Sequence, residues 1–325
     1  MDSAGQRMSP LSPVRYNEAS FMKPPSCRVA LLVLAAPALL AFAPAGTHRY
    51  RLHADGRART YLVHAPAASA GQALLPVVIV LHGHGGTASK AMRLSGMNPK
   101  ADAEGFLAVY PNGTSWADTP WRSWNAGSCC GYAEATGVDD VAFLRALIAD
   151  LSRNFPVDPA RIYVTGISNG GMMAYRAACE LSDLVAAIAP VAGALSMSSC
   201  APAHPVSVLI IHGTNDRYVP YEGGVSPATH DDRNDPPVAE TAKRWAGWNR
   251  CAVDAQEEVH GRVAHQWFPG CVEGAAVEVY TVKGGGHAWP GGRRAWLFGD
   301  RPTRELSATD AIWEFFASHP NASGK

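Results

Sequence analysis

The chain has 325 residues, of which 47% are hydrophobic and 17% are charged, as is typical of a soluble protein that buries a full core. Its 28 Lys and Arg residues balance its 28 Asp and Glu residues. This balance argues against a basic face for nucleic acid or for an anionic membrane surface. We therefore expect neither nucleic acid nor membrane as a partner, and a small or neutral molecule instead.

The N-terminal segment has the pattern of a secretory signal peptide. Two basic residues precede the apolar stretch 29–43, which closes on a small-residue Ala-Pro-Ala pattern. This pattern predicts export with cleavage near Ala45. The apolar stretch is too short for a membrane-spanning helix and contains Pro37. Whether translation starts at Met1 or at Met22 stays open.

Seven short apolar segments that end in glycine or turn residues predict β-strands. The first, 58–66, alternates apolar and polar residues and predicts an outer antiparallel strand. The other six are almost continuously apolar, which favours strands covered on both faces. They span residues 75–83, 106–113, 161–168, 186–194, 206–213 and 277–287.

Helical periodicity separates most of these strands. Over 138–155 the apolar residues form one stripe, and Asp139 and Asp140 suit the positive end of the helix dipole. Three further helices are predicted over 170–181, 238–250 and 307–319. Alternating strands and helices predict one three-layer α/β domain with a mainly parallel central sheet over 46–325, preceded by an extension and signal peptide over 1–45.

Two long irregular stretches, 114–137 and 289–306, are rich in tryptophan and glycine. In α/β sheets the loops at the carboxyl edge build the ligand site, so these tryptophans are candidates to line a substrate groove. The alternative is that they cover the edge of the core. The candidates are Trp116, Trp121, Trp124, Trp289 and Trp296, of which Trp121, Trp124 and Trp289 are assigned to substrate binding.

Six cysteines follow the signal segment, which in an exported protein suggests disulfides. Cys251 and Cys271 bracket a local excursion and are predicted to pair. Cys129 and Cys130 are adjacent, and we expect them to bond to different partners. The sequence contains no C-x-x-C or H-E-x-x-H pattern, so no metal site is expected.

Ser168 lies in a G-x-S-x-G pattern between a β-branched run and a helix. This setting is typical of a nucleophile elbow, a sharp turn that exposes the serine hydroxyl above the sheet. Larger residues at Gly166 or Gly170 would clash across such a turn. The alternative is a structural Ser-Gly turn.

A serine nucleophile needs a base, and the base needs an orienting acid; in this architecture the order is serine, acid, histidine. Asp216 follows the predicted strand 206–213, and His287 follows the last strand on a three-glycine loop. The other aspartates after Ser168 lie in polar, loop-like stretches that do not directly follow a predicted strand. The other histidines do not have the position along the chain or the local setting that the catalytic base requires. We therefore predict Asp216 as the acid and His287 as the base.

The developing oxyanion needs two N–H donors. The residue after the nucleophile, Asn169, is predicted to supply one through its backbone. The glycine-rich turn 81–89 is predicted to supply the other from the backbone N–H of His84 or Gly85.

These ordered motifs give the sequence a clear resemblance. LHGHGG, VTGISNGGMMAYRAA, HGTNDRYVPY and GGGHAWPGG are similar to those of secreted α/β-hydrolase esterases of the polyhydroxybutyrate depolymerase type, which are related to feruloyl and acetylxylan esterases. The resemblance extends from about Arg59 to about Ser318. It implies the α/β-hydrolase fold, no cofactor, and an ester substrate hydrolysed through Ser168, Asp216 and His287.

Two departures qualify what the resemblance implies. Many relatives have Cys where this chain has His84, and larger polymer-degrading relatives append a linker and a binding domain. Hydroxybutyrate esters are the first expectation for the substrate, with feruloyl or acetyl esters of plant polysaccharide as the alternative. From another class, a catalytically silent polysaccharide-binding domain is the rival hypothesis. Oligomeric state stays open.

Overall fold

The computed structural model describes residues 45–67, 74–197, 199–229, 232–294 and 299–321. The predicted signal sequence lies outside these ranges. Within them, no helix is both long and apolar enough to cross a membrane.

The predicted strands and helices are present with ends shifted by a few residues. The strands are β1 (Gly46–Ala54), β2 (Arg57–Ala65), β3 (Leu75–Leu81), β4 (Leu107–Pro111), β5 (Val157–Ile167), β6 (Ala187–Val191), β7 (Ser207–Gly213), β8 (Gly224–Val225), β9 (Asn234–Asp235), β10 (Gln256–His260), β11 (Val263–Phe268) and β12 (Val277–Val282). The helices are α1 (Ala88–Ser95), α2 (Met97–Glu104), α3 (Gly131–Ala135), α4 (Asp140–Asn154), α5 (Asn169–Glu180), α6 (Val238–Trp248) and α7 (Ala308–Ser318). Short 3-10 turns cover Trp116–Asp118 and Val272–Gly274.

Ten strands form one sheet in the order β1-β2-β4-β3-β5-β6-β7-β12-β11-β10. The six central strands of this order, β4-β3-β5-β6-β7-β12, pair in parallel with one another. Antiparallel pairs complete both sides, β2 with β4 on one and β11 with β12 on the other. The predicted mainly parallel sheet and the outer antiparallel strand over 58–66 are therefore confirmed.

Each face of the sheet carries its own hydrophobic core, which makes the three predicted layers. The core under α4, α5 and α6 takes Val77, Ile79 and Leu81 from β3. The core under α1, α2 and α7 takes the alternate residues Val78 and Val80. Because successive side chains of a strand point to opposite faces, a strand covered on both sides must be apolar throughout.

Helix α4 follows the predicted pattern with one addition. The Asp139 side chain caps the helix by accepting the Ala142 N–H at 2.8 Å. Asp140 does more than face the dipole: it is fully buried and pairs with the buried guanidinium of Arg59 at 2.6 Å. It also accepts the Asn125 N–H at 2.8 Å, which ties the irregular stretch 114–137 to the helix.

Three disulfides lie in the described ranges. The predicted pair Cys251–Cys271 is confirmed, and Cys179 pairs with Cys200. The expectation for Cys129 and Cys130 is wrong, because these adjacent residues are bonded to each other. The other four described cysteines bond among themselves and leave no separate partner for either residue.

Candidate active site

The strand order brings the three predicted catalytic residues to one edge of the sheet. β5 and β7 both pair in parallel with β6, and β12 pairs in parallel with β7, so their carboxyl ends lie at the same edge. Ser168 directly follows β5, Asp216 lies three residues beyond β7, and His287 follows β12 on the loop that starts at Lys283.

Ser168 has a backbone conformation that non-glycine residues rarely adopt, with φ 59° and ψ −126°. Such backbone strain costs about 1–3 kcal/mol and persists only where the surroundings enforce it. Here the Ser168 N–H donates to the Val191 carbonyl and the Ser168 carbonyl accepts from Met172, each at 2.9 Å. A Cβ at Gly166 would lie 2.7 Å from the backbone of Gly170. The turn therefore has no room for a side chain at Gly166.

Asp216 and His287 form a buried pair, 5% and 6% exposed. His287 Nδ1 and Asp216 Oδ2 are 2.7 Å apart. The other carboxylate oxygen, Oδ1, accepts the backbone N–H groups of Tyr218 and Val219, both at 2.9 Å. With Nδ1–H donated to the carboxylate, His287 keeps Nε2 as a proton acceptor.

The electrostatic environment keeps Asp216 ionised. Burial opposes its ionisation, but the neighbouring His287 and His212 rings favour the charged form more strongly, so the pKa of Asp216 lies well below its ordinary value. His212 Nε2 lies 3.5 Å from Asp216 Oδ2 and 2.8 Å from the carbonyl oxygen of Val219. The order of residues along the chain argued against a role for His212, and the structure makes it a neighbour of the acid.

The glycine loop of His287 packs directly on the loop of Asp216. The Gly284 N–H donates to Thr214 Oγ1, and the Asn215 N–H donates to the Gly285 carbonyl, both at 2.8 Å. A Cβ at Gly213 would collide with the Gly285 backbone. The histidine and its acid are therefore held by backbone contacts as well as by the bond between their side chains.

The serine hydroxyl is the least constrained part of this arrangement. Within the described ranges, Ser168 Oγ makes no hydrogen bond within 3.5 Å, including to His287. Hydrogen bonds between a nucleophile and its base are often long until a substrate is held, and then shorten. The Ser168–His287 contact is thus inferred from the shared sheet edge, whereas the Asp216–His287 contact is observed.

The first predicted oxyanion donor lies at the start of α5. The Asn169 N–H belongs to the first helical turn, where N–H groups have no acceptor within the helix and the helix dipole favours negative charge. The Asn169 side chain has a role that the sequence did not reveal. Its Oδ1 accepts the Trp124 N–H at 2.8 Å and its Nδ2 donates to the Trp124 carbonyl at 2.9 Å. This amide holds the 114–137 stretch against the turn at Ser168.

The second oxyanion donor is predicted to be the backbone N–H of either His84 or Gly85. The Gly85 N–H is not available, because it donates to the Arg122 carbonyl at 2.8 Å. This correction leaves the His84 N–H as the candidate. The turn packs closely on Ser168, since a Cβ at Gly83 would lie 3.3 Å from the Ser168 Cβ.

His82 supports this turn as a neutral side chain. Its Nε2 accepts the Gly113 N–H at 3.0 Å, and its Nδ1 lies 2.8 Å from the Gly83 carbonyl oxygen. Burial lowers the pKa of His82 to about 3. The described residues contain no group of three or more His, Cys, Asp or Glu side chains arranged to hold a metal ion.

The tryptophans divide into buried and exposed residues. Trp124 and Trp289 are 0% and 1% exposed, so the prediction that they line a substrate groove is wrong. Their indole N–H groups find partners inside the protein, the His82 carbonyl and the Thr309 hydroxyl, which allows full burial. Trp121 is 66% exposed, and its Nε1 donates to His84 Nε2 at 3.1 Å.

Trp116 is also exposed, at 73%, whereas Trp296 lies outside the described residues. The groove prediction therefore depends on Trp116 and Trp121. Trp121 has the closer link to the site, because its ring covers Gly85 on the candidate oxyanion turn.

Comparison with known proteins finds that the chain is similar to esterases. Residues 59–216 match the family model described as Esterase PHB depolymerase. The putative esterase NocK of Nocardia uniformis subsp. tsuyamanensis is 34% identical over 287 residues, which cover 80% of this chain and 79% of that protein. Feruloyl esterase B of Piromyces equi is 32% identical over 251 residues, 74% of this chain but only 44% of that protein.

A solved structure supports the fold. The acetyl xylan esterase from Aspergillus awamori superposes with a TM-score of 0.58 over 83% of this chain and 99% of that one. Its sequence identity is 16%, so this likeness concerns the architecture of the sheet and helices alone.

Proposed function

The chain belongs to the Esterase PHB depolymerase family, a family of α/β-hydrolase-fold esterases, and we propose that it hydrolyses carboxylic esters by acyl transfer through Ser168, His287 and Asp216. The observation that carries this proposal is the buried pair of His287 Nδ1 and Asp216 Oδ2, 2.7 Å apart, at the sheet edge where β5 ends in Ser168.

In the first step Ser168 Oγ attacks the ester carbonyl carbon and its proton passes to His287 Nε2. Asp216 receives the Nδ1–H hydrogen bond and stabilises the imidazolium that forms. The negative charge on the carbonyl oxygen is held by the N–H groups of Asn169 and His84. His287 then gives the proton to the leaving alcohol as the C–O ester bond breaks, which leaves an acyl group on Ser168.

In the second step a water molecule takes the place of the alcohol. His287 Nε2 accepts a proton from the water as its oxygen attacks the acyl carbon. The bond to Ser168 breaks, the serine recovers its proton, and the carboxylic acid leaves. The cycle uses only side chains and backbone groups of this chain and consumes one water per ester.

We propose hydroxybutyrate oligomers as the substrate class, in line with the description of the matching family model. The exposed indole of Trp121 beside the His84 turn offers an apolar surface for the chain of such an oligomer. Feruloyl or acetyl esters of plant polysaccharide are the second candidate. They are favoured by the relative that is named a feruloyl esterase.

An ester panel tests both candidates. Initial rates are measured on hydroxybutyrate trimers, methyl ferulate and acetylated xylan with the wild-type chain and with Ser168→Ala. We expect the highest kcat/KM on the hydroxybutyrate trimer and loss of all three activities in the variant. A preference for methyl ferulate or acetylated xylan would reverse the order of the two candidates, and absence of turnover on every ester would favour the silent binding domain.

We also propose that the protein works outside the cytoplasm. The three disulfides of the described residues suit an oxidising compartment. The signal-peptide pattern that ends near Ala45 supports the same location. N-terminal sequencing of the exported protein tests the cleavage site, and a mature chain that begins upstream of the apolar stretch would contradict it.

A further inference from the structure

The irregular segment that follows Trp289 carries two acidic side chains that bind backbone N–H groups of other loops. Asp300 Oδ2 accepts the N–H of His287 at 2.7 Å. Glu305 Oε2 accepts the N–H of Arg262 at 2.8 Å. The two contacts are chemically alike, but only the first lies on the proposed catalytic base.

The loop before His287 explains why such a contact is needed. Its three glycines provide no side chain that could pack against neighbours and fix the loop. One side is held by hydrogen bonds with Thr214 and Asn215. On the other side, the backbone of His287 itself is held by Asp300.

Gly286 allows Asp300 to approach. A Cβ at this position would run into the Asp300 carboxyl group, so any other residue would push the carboxylate away from the neighbouring N–H. This close approach accounts for the third glycine of the loop. A carboxylate that accepts a backbone N–H forms a charge-assisted hydrogen bond, which is shorter and stronger than a neutral one.

The Asp300 carboxylate does not compete with Asp216. Asp216 binds the ring through Nδ1, whereas Asp300 binds the main chain of the same residue. Asp216 can set the rotation and tautomer of the ring, but the position of the Cα depends on the backbone. Together the two contacts constrain both the ring and the main chain of His287.

We propose that Asp300 is a positioning residue for the esterase reaction, which holds the backbone of His287 so that its Nε2 faces Ser168. This inference rests on the proposed function. A histidine that is misplaced by about 1 Å still allows the ester to bind but transfers the proton poorly. The effect of losing Asp300 therefore falls on kcat and not on KM.

The test compares Asp300→Ala, Asp300→Asn and the matched control Glu305→Ala on p-nitrophenyl butyrate. Since misplacement by about 1 Å can cost ~10²-fold, we expect Asp300→Ala to lower kcat by about 10- to 100-fold with KM within about twofold. The rate of inactivation by a fluorophosphonate should fall by a similar factor. Asp300→Asn should recover most of the activity, because its amide oxygen can still accept the His287 N–H. Glu305→Ala should keep wild-type kcat, because Glu305 binds the N–H and the guanidinium of Arg262 in the β10–β11 turn and makes no contact with His287 among its hydrogen bonds in the described residues.

Wild-type kcat in Asp300→Ala would overturn the proposal, and so would an equal loss in Glu305→Ala. An Asp300→Asn variant as poor as Asp300→Ala would also overturn it, because the acceptor would not then be what matters. Melting curves check that each variant folds. If Asp300→Ala does not fold, Asp300→Ser takes its place, because the serine hydroxyl is too short to reach the His287 N–H. The same outcomes then decide the proposal. Activity that survives in Ser168→Ala would refute the proposed function itself, whereas an inactive Ser168→Ala beside a fully active Asp300→Ala would refute only the role of Asp300.

Discussion

Replacing Asp216 with asparagine removes one charge and almost no volume, and the hydrogen bonds of this site predict a large loss of activity in a protein that still folds. The carboxylate accepts backbone N–H groups from Tyr218 and Val219 on Oδ1 and binds His287 Nδ1 through Oδ2. An amide has only one oxygen, so it cannot accept on both sides.

The two possible orientations of the amide differ in free energy. If its NH₂ group faced Tyr218 and Val219, two buried N–H donors would lose their acceptor, at about 1–3 kcal/mol each. The oxygen therefore stays on the backbone side and the NH₂ group faces His287. Nδ1 must then accept a hydrogen bond, so the ring proton moves to Nε2, which can no longer take a proton from Ser168.

We expect Asp216→Asn to lower kcat by about 10⁴-fold, the size of effect that a wrong histidine tautomer causes in serine hydrolases. At ~1.36 kcal/mol per factor of ten, this corresponds to about 5 kcal/mol of lost transition-state stabilisation. The melting temperature should stay close to wild type, because both backbone hydrogen bonds are kept.

The assay is kcat on p-nitrophenyl butyrate, with Asp183→Asn as the matched control. Asp183 forms a half-exposed surface ion pair with Arg145, so its change should leave kcat unaltered. If Asp216→Asn kept more than about a tenth of wild-type kcat, the change would have raised the activation free energy by less than ~1.36 kcal/mol. That result would refute the tautomer argument.

The same geometry predicts three further outcomes. Because the pKa of Asp216 is depressed, this carboxylate stays ionised well into the acid range, so its own protonation should not contribute to the loss of activity on acidification; a plot of log kcat/KM against pH should have an acid limb with a slope no steeper than one, and a slope of two would contradict the assignment. In Gly170→Ala the new Cβ would lie 2.6 Å from the carbonyl oxygen of His82, so we expect a lower melting temperature and a loss of about 1–3 kcal/mol of folding free energy; unchanged unfolding in urea would show that the nucleophile turn has room for a methyl group. Trp121→Ala removes the exposed indole beside His84 and should raise KM for a hydroxybutyrate oligomer by about tenfold, ~1.4 kcal/mol, if the ring contacts the substrate; an unchanged KM would remove Trp121 from the substrate site.

Much of the fold could be predicted because a buried parallel strand leaves a clear pattern. Strands β3, β5, β6 and β7 appear as apolar runs, since both of their faces are covered. Strand β10 could not be found in this way. Its sequence QEEVH is exposed at every position, and it is a strand only because β11 pairs with it at the sheet edge.

The site could be predicted where chain order carries the information. Ser168, Asp216 and His287 each follow a recognisable strand, so their common edge could be derived from the sequence. Contacts between distant loops leave no such pattern. The hydrogen bond from the Gly85 N–H to the Arg122 carbonyl links residues that are far apart in sequence. It engages an N–H group that the glycine-rich turn 81–89 had suggested as an oxyanion donor.

Burial of the tryptophans could not be derived from the sequence either. Trp121 and Trp124 lie three residues apart in the same irregular stretch, yet one is exposed and the other is fully buried. Trp124 is buried because two sets of contacts hold it inside the protein. The Asn169 side chain forms two hydrogen bonds with the Trp124 backbone, and the His82 carbonyl accepts the Trp124 indole N–H. Both partners come from other parts of the chain.

Covalent labelling tests most directly whether Ser168 is the nucleophile. The protein is incubated with a fluorophosphonate and digested with trypsin, and the peptide 162–176, in which Ser168 is the only serine, is analysed by mass spectrometry. We predict one adduct, on Ser168, formed in step with the loss of p-nitrophenyl butyrate hydrolysis. An adduct on another residue, or an unlabelled Ser168 in a fully inhibited protein, would contradict the account.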